Sequence, residues 1–164
     1  MPSVEEFAFR RLTEAHLPLV GQWLAEPHVQ RWWGEPADAL SEIRGHLDDP
    51  LVEPYLVLIP ARPIGYVQKY LIDGPDHPYG DQPAGAAGID QFIGIPSLIG
   101  RGYGSKMVEA FALKLFEEGV ERVVIDPHPE SAQAIRAYEK AGFTVFDQRQ
   151  TEDGPAQMMA RDRC

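Results

Sequence analysis

Ile99-Gly100-Arg101-Gly102-Tyr103-Gly104-Ser105-Lys106 runs straight into Met107-Val108-Glu109-Ala110-Phe111, a junction that narrows the architectures open to the chain. Met107, Val108, Phe111 and Leu115 recur at helical spacing, so a glycine-rich turn feeds an amphipathic helix. Glycine lets the main chain approach a ligand closely, and the N–H groups of a helix start, aided by the helix dipole, suit a phosphate. The stretch has neither the GxxxxGK[ST] order of a Walker loop nor the GxGxxG order of a dinucleotide fingerprint. Taken by itself it fits a pyrophosphate cradle or a tight structural turn.

Working outward, Ala86 to Ile93 reads as a central strand before the turn. Beyond the helix, Arg122 to Asp126 is a short strand, and Ser131 to Lys140 is a helix capped by Ser131 and stopped at Gly142. Phe143 to Arg149 is another strand, and Asp153-Gly154 turns the chain into a last strand over Ala156 to Arg161. Upstream, Tyr55 to Ile59 and Ile64 to Leu71 form a hairpin around Pro60-Ala61-Arg62-Pro63. Residues 73 to 85, crowded with Gly, Pro and Asp, are expected to form a surface loop. A leading strand near Phe7 to Arg11 precedes a helix from Thr13 to about residue 25, ended by Pro27. A short segment through Val29, Trp32 and Trp33 then leads to a helix over Ala37 to Leu47. The order is an α-rich start, a β-meander and then β-α-β-α-β-β. It predicts an α/β domain around a mixed, mostly antiparallel central sheet with flanking helices.

The 164 residues match one domain, residues 1–164, with enough hydrophobic content, 44%, to bury its own core. The one cysteine, Cys164, allows no intrachain disulfide and no thiolate metal cluster, which favours a reducing compartment. Neither a signal-like N-terminus nor a membrane-length apolar run is present, so a cytoplasmic chain is expected. The formal net charge of −10 repels nucleic acid and anionic lipid and attracts cations, although ordinary acidic solubility gives the same sign. The five histidines, His16, His28, His46, His77 and His128, lack metal-ligand spacing; they read as solvated or incidental, and no metal is expected.

Gly88-Ile89-Asp90-Gln91, the glycine turn, Val124-Ile125-Asp126-Pro127 and Ala134-Ile135-Arg136-Ala137-Tyr138-Glu139-Lys140-Ala141-Gly142-Phe143 occur in one order. Together they resemble the GCN5-related N-acetyltransferase (GNAT) family. That resemblance implies acetyl-CoA as cosubstrate, its pyrophosphate on the turn and helix start, and two neighbouring parallel strands splayed so that pantetheine pairs with strand backbone. The cofactor-binding set is then Gln91, Phe92, Ile93, Ile99, Gly100, Arg101, Gly102, Tyr103, Gly104, Ser105 and Lys106. The family pattern Q/R-x-x-G-x-G/A would place Gln or Arg at Ile99; Arg101 or Lys106 can supply that charge.

A second resemblance covers nearly the whole chain. Trp32-Trp33-Gly34, Pro63-Ile64-Gly65-Tyr66-Val67-Gln68-Lys69-Tyr70, Gly88-Ile89-Asp90-Gln91, Asp126-Pro127 and Asp153-Gly154-Pro155-Ala156 look like the aminoglycoside 6'-N-acetyltransferases. It implies an acceptor pocket holding Asp90, Asp126, Trp32 and Trp33, with Gln68, Tyr70 and Asp153 as weaker members. Carboxylates and aromatic faces are what a polycationic aminoglycoside requires, and the partner expected is such a cationic small-molecule amine. Adjacent on a helix, Trp32 and Trp33 cannot face one way, so one packs inward. Read without the resemblance, Asp90 and Asp126 are equally strand-end turn residues.

Attack on a thioester needs a neutral amine, and Asp90 is the residue to orient it and accept its proton, directly or through water. A backbone N–H at Gln91 or Phe92 can stabilise the developing oxyanion. Tyr138 matches the family tyrosine that protonates the leaving thiolate, while its spacing from Ile135 and Ala134 also suits simple packing. Direct transfer is expected, without a covalent enzyme intermediate, by a monomer or homodimer that binds neither nucleic acid nor membrane. Two other functions remain open: acyl transfer to lysine, hydroxylysine or a siderophore precursor, and a non-catalytic CoA-binding regulatory module. A protein-tail acetyltransferase is a third.

Overall fold

The computed structural model describes residues 2–72, 79–152 and 154–163. Asp153, the 73–78 part of the loop and Cys164 lie outside the described residues. The chain divides into two compact units, residues 1–69 with 90–104, and residues 70–89 with 105–164.

In the first unit, β1 (Ala8–Arg11) pairs antiparallel with β2 (Val52–Ile59), Ala8 opposite Leu58. Pro60 and Ala61 link β2 to β3 (Arg62–Leu71), a two-residue connection that only antiparallel strands can use. β4 (Ala87–Ile93) completes the order β1-β2-β3-β4. The approach of β3 to β4 is close: a Cβ on Gly65 would lie 2.5 Å from the Phe92 carbonyl oxygen, and the Gly94 N–H donates to the Ile64 carbonyl at 2.7 Å. Three helices accompany these strands: α1 (Leu17–Leu24), α2 (Pro27–Trp33) and α3 (Pro36–His46). Leu17, Val20, Trp23 and Leu24 of α1, Val29 of α2 and Ile43 of α3 bury one face each against Leu56, Leu58, Tyr66 and Phe92.

Pro27 does not merely end the preceding helix. It is the first residue of α2, where its fixed φ is preorganised and its missing N–H costs nothing. Pro36 does the same for α3, whose start is further tied by Glu35 Oε1 accepting from the Ala37 N–H at 3.0 Å. The first helix is also shorter than expected: Thr13 N–H donates to His16 Nδ1 at 3.0 Å, and a 3-10 turn over Glu14–His16 precedes α1.

In the second unit the order is β4-β5-β7-β6, with β5 (Arg122–Ile125), β6 (Thr144–Thr151) and β7 (Gly154–Asp162). β4 and β5 are parallel, with Ala87 opposite Val123 and Gly88 opposite Val124, whereas β5–β7 and β6–β7 are antiparallel. The helices are α4 (Tyr103–Glu117) and α5 (Ala132–Lys140). Ser131 stands at the N-cap of α5 but its side chain makes no capping hydrogen bond; the stop at Gly142 is as expected, with φ 95°. The 79–85 part of the loop is not wholly at the surface. Tyr79 is 1% exposed and packs with Ile72, Ala86, Val124 and Met158, so a large aromatic ring from this stretch is buried.

Candidate active site

Asp90 sits on β4 in the first unit, half-buried, and Gln68 Nε2 donates to its Oδ2 at 3.0 Å. Gln68 is itself 7% exposed, and its other amide atom, Oε1, accepts from the Tyr66 hydroxyl at 2.5 Å. Tyr66 and Gln68 share one face of β3 because side chains two apart along a strand point the same way. The Tyr66 ring stacks on Phe92, with centroids 5.5 Å apart, and meets the edge of Trp33 at 6.0 Å. Burial first, then the Asp90 and Glu42 carboxylates, pushes the Tyr66 phenol far above its ordinary value, so it remains protonated.

The tryptophan pair divides as adjacency on a helix requires. Trp33 packs inward, edge-on to Phe92 at 5.2 Å as well as to Tyr66, whereas Trp32 is 44% exposed with the Arg31 guanidinium 4.8 Å above its ring. Phe92 and Ile93 are buried and Gln91 is half-buried. His28 Nε2 donates to the Ile93 carbonyl at 2.8 Å, so this histidine anchors the end of β4 rather than being incidental. His128 is not incidental either, since its Nδ1 accepts from the Glu130 N–H at 3.1 Å.

The glycine turn lies between a 3-10 turn over Pro96–Leu98 and the start of α4. Gly100 and Gly102 take φ 77° and 84°, a region that a side chain would penalise. A Cβ at Gly104 would meet nothing within 4 Å. Ile99 and Arg101 are exposed, and Tyr103 to Lys106 form the first turn of α4, whose N–H groups have no acceptor within the helix. Ser105 is buried, and Lys106 Nζ meets Glu109 at 3.2 Å.

In the second unit, Asp126 follows the last residue of β5, half-buried, and Tyr138 is 8% exposed on α5. Tyr70 and Tyr79 exchange a hydrogen bond between hydroxyls at 2.6 Å, and their rings stack at 6.5 Å. A Cβ at Gly88 would collide with the Tyr70 ring, so that glycine is what lets the ring lie across β4. The structure thus brings together Asp90, Gln68 and the inner tryptophan in one unit, and Tyr70 with Tyr79 in the other. Tyr66, His28 and Tyr79 did not emerge from the sequence. Tyr66 had a signal, two residues before Gln68 in the same alternating strand; His28 had none.

Residues 13–151 match the model of the acetyltransferase (GNAT) domain. The chain belongs to the GNAT acetyltransferase family. It is 34% identical to the aminoglycoside N(6')-acetyltransferase type 1 of Klebsiella pneumoniae, over 98% of this chain and 85% of that protein. Among solved structures, AAC(6')-Ib in complex with paromomycin and acetyl-CoA is similar at TM-score 0.87 and 34% identity, covering 96% of this chain and 94% of that one. The complex of AAC(6')-Ib with coenzyme A and kanamycin is similar at TM-score 0.86 and 34% identity, covering 96% and 95%. GNAT membership accounts for the mixed, mostly antiparallel sheet with its parallel β4–β5 pair. Among the described residues no helix is long and apolar enough to cross a membrane.

Proposed function

We propose that this chain is a cytoplasmic enzyme that transfers acetyl from acetyl-CoA directly to the 6'-amine of aminoglycosides. The observation that carries the acceptor assignment is the Asp90 carboxylate, held on β4 by the buried Gln68 amide at 3.0 Å. The near-full-length similarity to enzymes solved with aminoglycosides supports it, as does a net charge of −10 that draws polycations from solution. Because the family match runs from residue 13 to 151, through both compact units, we read the two as one functional domain.

The residues present fit acetyl-CoA. Two glycines at positive φ and open space beside Gly104, at the start of a 15-residue helix, suit an anion cradle of backbone N–H groups. The β4–β5 register holds two pairs of residues while β4 continues to Ile93, which suits strands whose backbone is to accept pantetheine. When bound, acetyl-CoA supplies the acetyl thioester. Asp90 orients the acceptor amine and takes its proton, directly or through water. Tyr138 hands a proton to the departing thiolate, Asp126 and Asp153 neutralise further ammonium groups, and Trp32 and Tyr70 offer rings to the sugar faces.

The test is free-thiol release from purified protein given acetyl-CoA and kanamycin, with mass spectrometry to locate the new acetyl group. Acetylation at the 6'-amine is the expected result. An absence of turnover on every 6'-amino aminoglycoside tried removes the acceptor assignment.

A further inference from the structure

We propose that Tyr66 is a positioning residue: it fixes which way the Gln68 carboxamide faces and thereby aims the Asp90 carboxylate. The inference rests on the reading of Asp90 as the group that receives the acceptor amine. A carboxamide has one accepting and one donating end, and a half-turn exchanges them at almost no steric cost. With Oε1 taken by the Tyr66 hydroxyl at 2.5 Å, the NH2 group is the end that meets Asp90 Oδ2 at 3.0 Å. The flipped amide would set an oxygen against a carboxylate and leave the phenol O–H without its present acceptor.

The Asp90 carboxylate, which only accepts, favours the same orientation from the other end of the amide. Tyr66 is 0% exposed and Gln68 7%, so solvent is not at hand to replace the phenol. The ring is held by stacking on Phe92 at 5.5 Å and by the Trp33 edge at 6.0 Å, which directs the hydroxyl along β3 toward Gln68. Because burial keeps the phenol protonated, it remains a donor throughout any usable assay range. Tyr66 itself, fully enclosed, has no route to the acceptor; its influence on the reaction passes through Gln68.

A double-mutant cycle on the full chain tests this, using the wild type, Tyr66→Phe, Gln68→Met and the double variant, with kanamycin and acetyl-CoA. Phenylalanine keeps the ring and its stacking while removing the one O–H. The expected result is a loss of about tenfold in kcat/KM for kanamycin on Tyr66→Phe, with KM for acetyl-CoA unchanged. In the Gln68→Met background the same substitution should cost less than about twofold, because the amide it orients is gone. Equal losses in both backgrounds, or no loss in either, overturn the proposal. Should Tyr66→Phe fail to fold, the wild-type hydroxyl proton is the second measurement. A slowly exchanging downfield resonance that disappears in Gln68→Met supports the arrangement, and a freely exchanging hydroxyl overturns it. Wild-type turnover separates the two levels: none on any 6'-amino aminoglycoside overturns both readings, while turnover with additive losses overturns the role of Tyr66 alone.

Discussion

The proposed chemistry falls mostly on one side chain, Asp90, and its replacement is the most direct probe. Asp90→Asn keeps the shape and the Gln68 contact geometry but removes the charge and the proton acceptor. Its kcat/KM for kanamycin should fall by about 10²–10⁴, with coenzyme A affinity by calorimetry unchanged; near-wild-type turnover would leave the amine to some other base. Gly65 is the steric counterpart. A Cβ there would stand 2.5 Å from the Phe92 carbonyl oxygen, a backbone atom that cannot swing aside, so Gly65→Ala should destabilise the chain by about 1–3 kcal/mol in a denaturant melt. An unchanged midpoint would mean that β3 and β4 have room to part. The strand position of Asp90 was legible in the sequence because it sits inside a recognisable segment. The Tyr66–Gln68–Asp90 chain was not, because it depends on how β3 lies against β4, and no local pattern encodes the register that brings together Gln68 and Asp90, 22 residues apart.

At the scale of elements, α4 and its glycine turn were read correctly from two independent signals, the apolar spacing and the glycine cluster. By contrast, α2 was legible only as a short segment whose start was not placed, because Pro27 has two meanings, a stop for the preceding helix and a start for the next, and only tertiary packing of Val29 and Trp33 selects between them. Tyr79 shows the same limit in a loop: composition marked 73–85 as surface, yet one aromatic ring within it joins the core. The turn before α4 yields a prediction of its own. Gly100 and Gly102 occupy φ 77° and 84°, where an L-residue costs about 1–2 kcal/mol. Gly102→Ala should therefore raise KM for acetyl-CoA about tenfold while leaving KM for the aminoglycoside within about twofold. Equal rises in both would show that the substitution disturbs the fold rather than the anion cradle.

Across the whole molecule, 25 acidic against 15 basic side chains give the formal charge of −10. That excess has opposite consequences for the two substrates, since the proposed acceptor is a polycation and acetyl-CoA is a polyanion. An acidic surface raises the encounter rate with the first and lowers it with the second, and both effects act over distances that salt shortens. The screening length contracts from about 10 Å at 0.1 M ionic strength to about 3 Å at 1 M, so a titration with an inert salt removes the long-range part while leaving short-range contacts such as Gln68–Asp90 in place. Raising the ionic strength should thus lower kcat/KM for kanamycin several-fold. Over the same range kcat/KM for acetyl-CoA should hold or rise, because the proposed backbone cradle at Gly100–Gly104 would act at contact distance and only the unfavourable approach is screened. A monoamine sugar run as acceptor under the same conditions should show a much shallower dependence. If kanamycin and the monoamine lose rate in parallel, the net charge serves solubility alone, and acceptor choice rests entirely on the short-range contacts around Asp90.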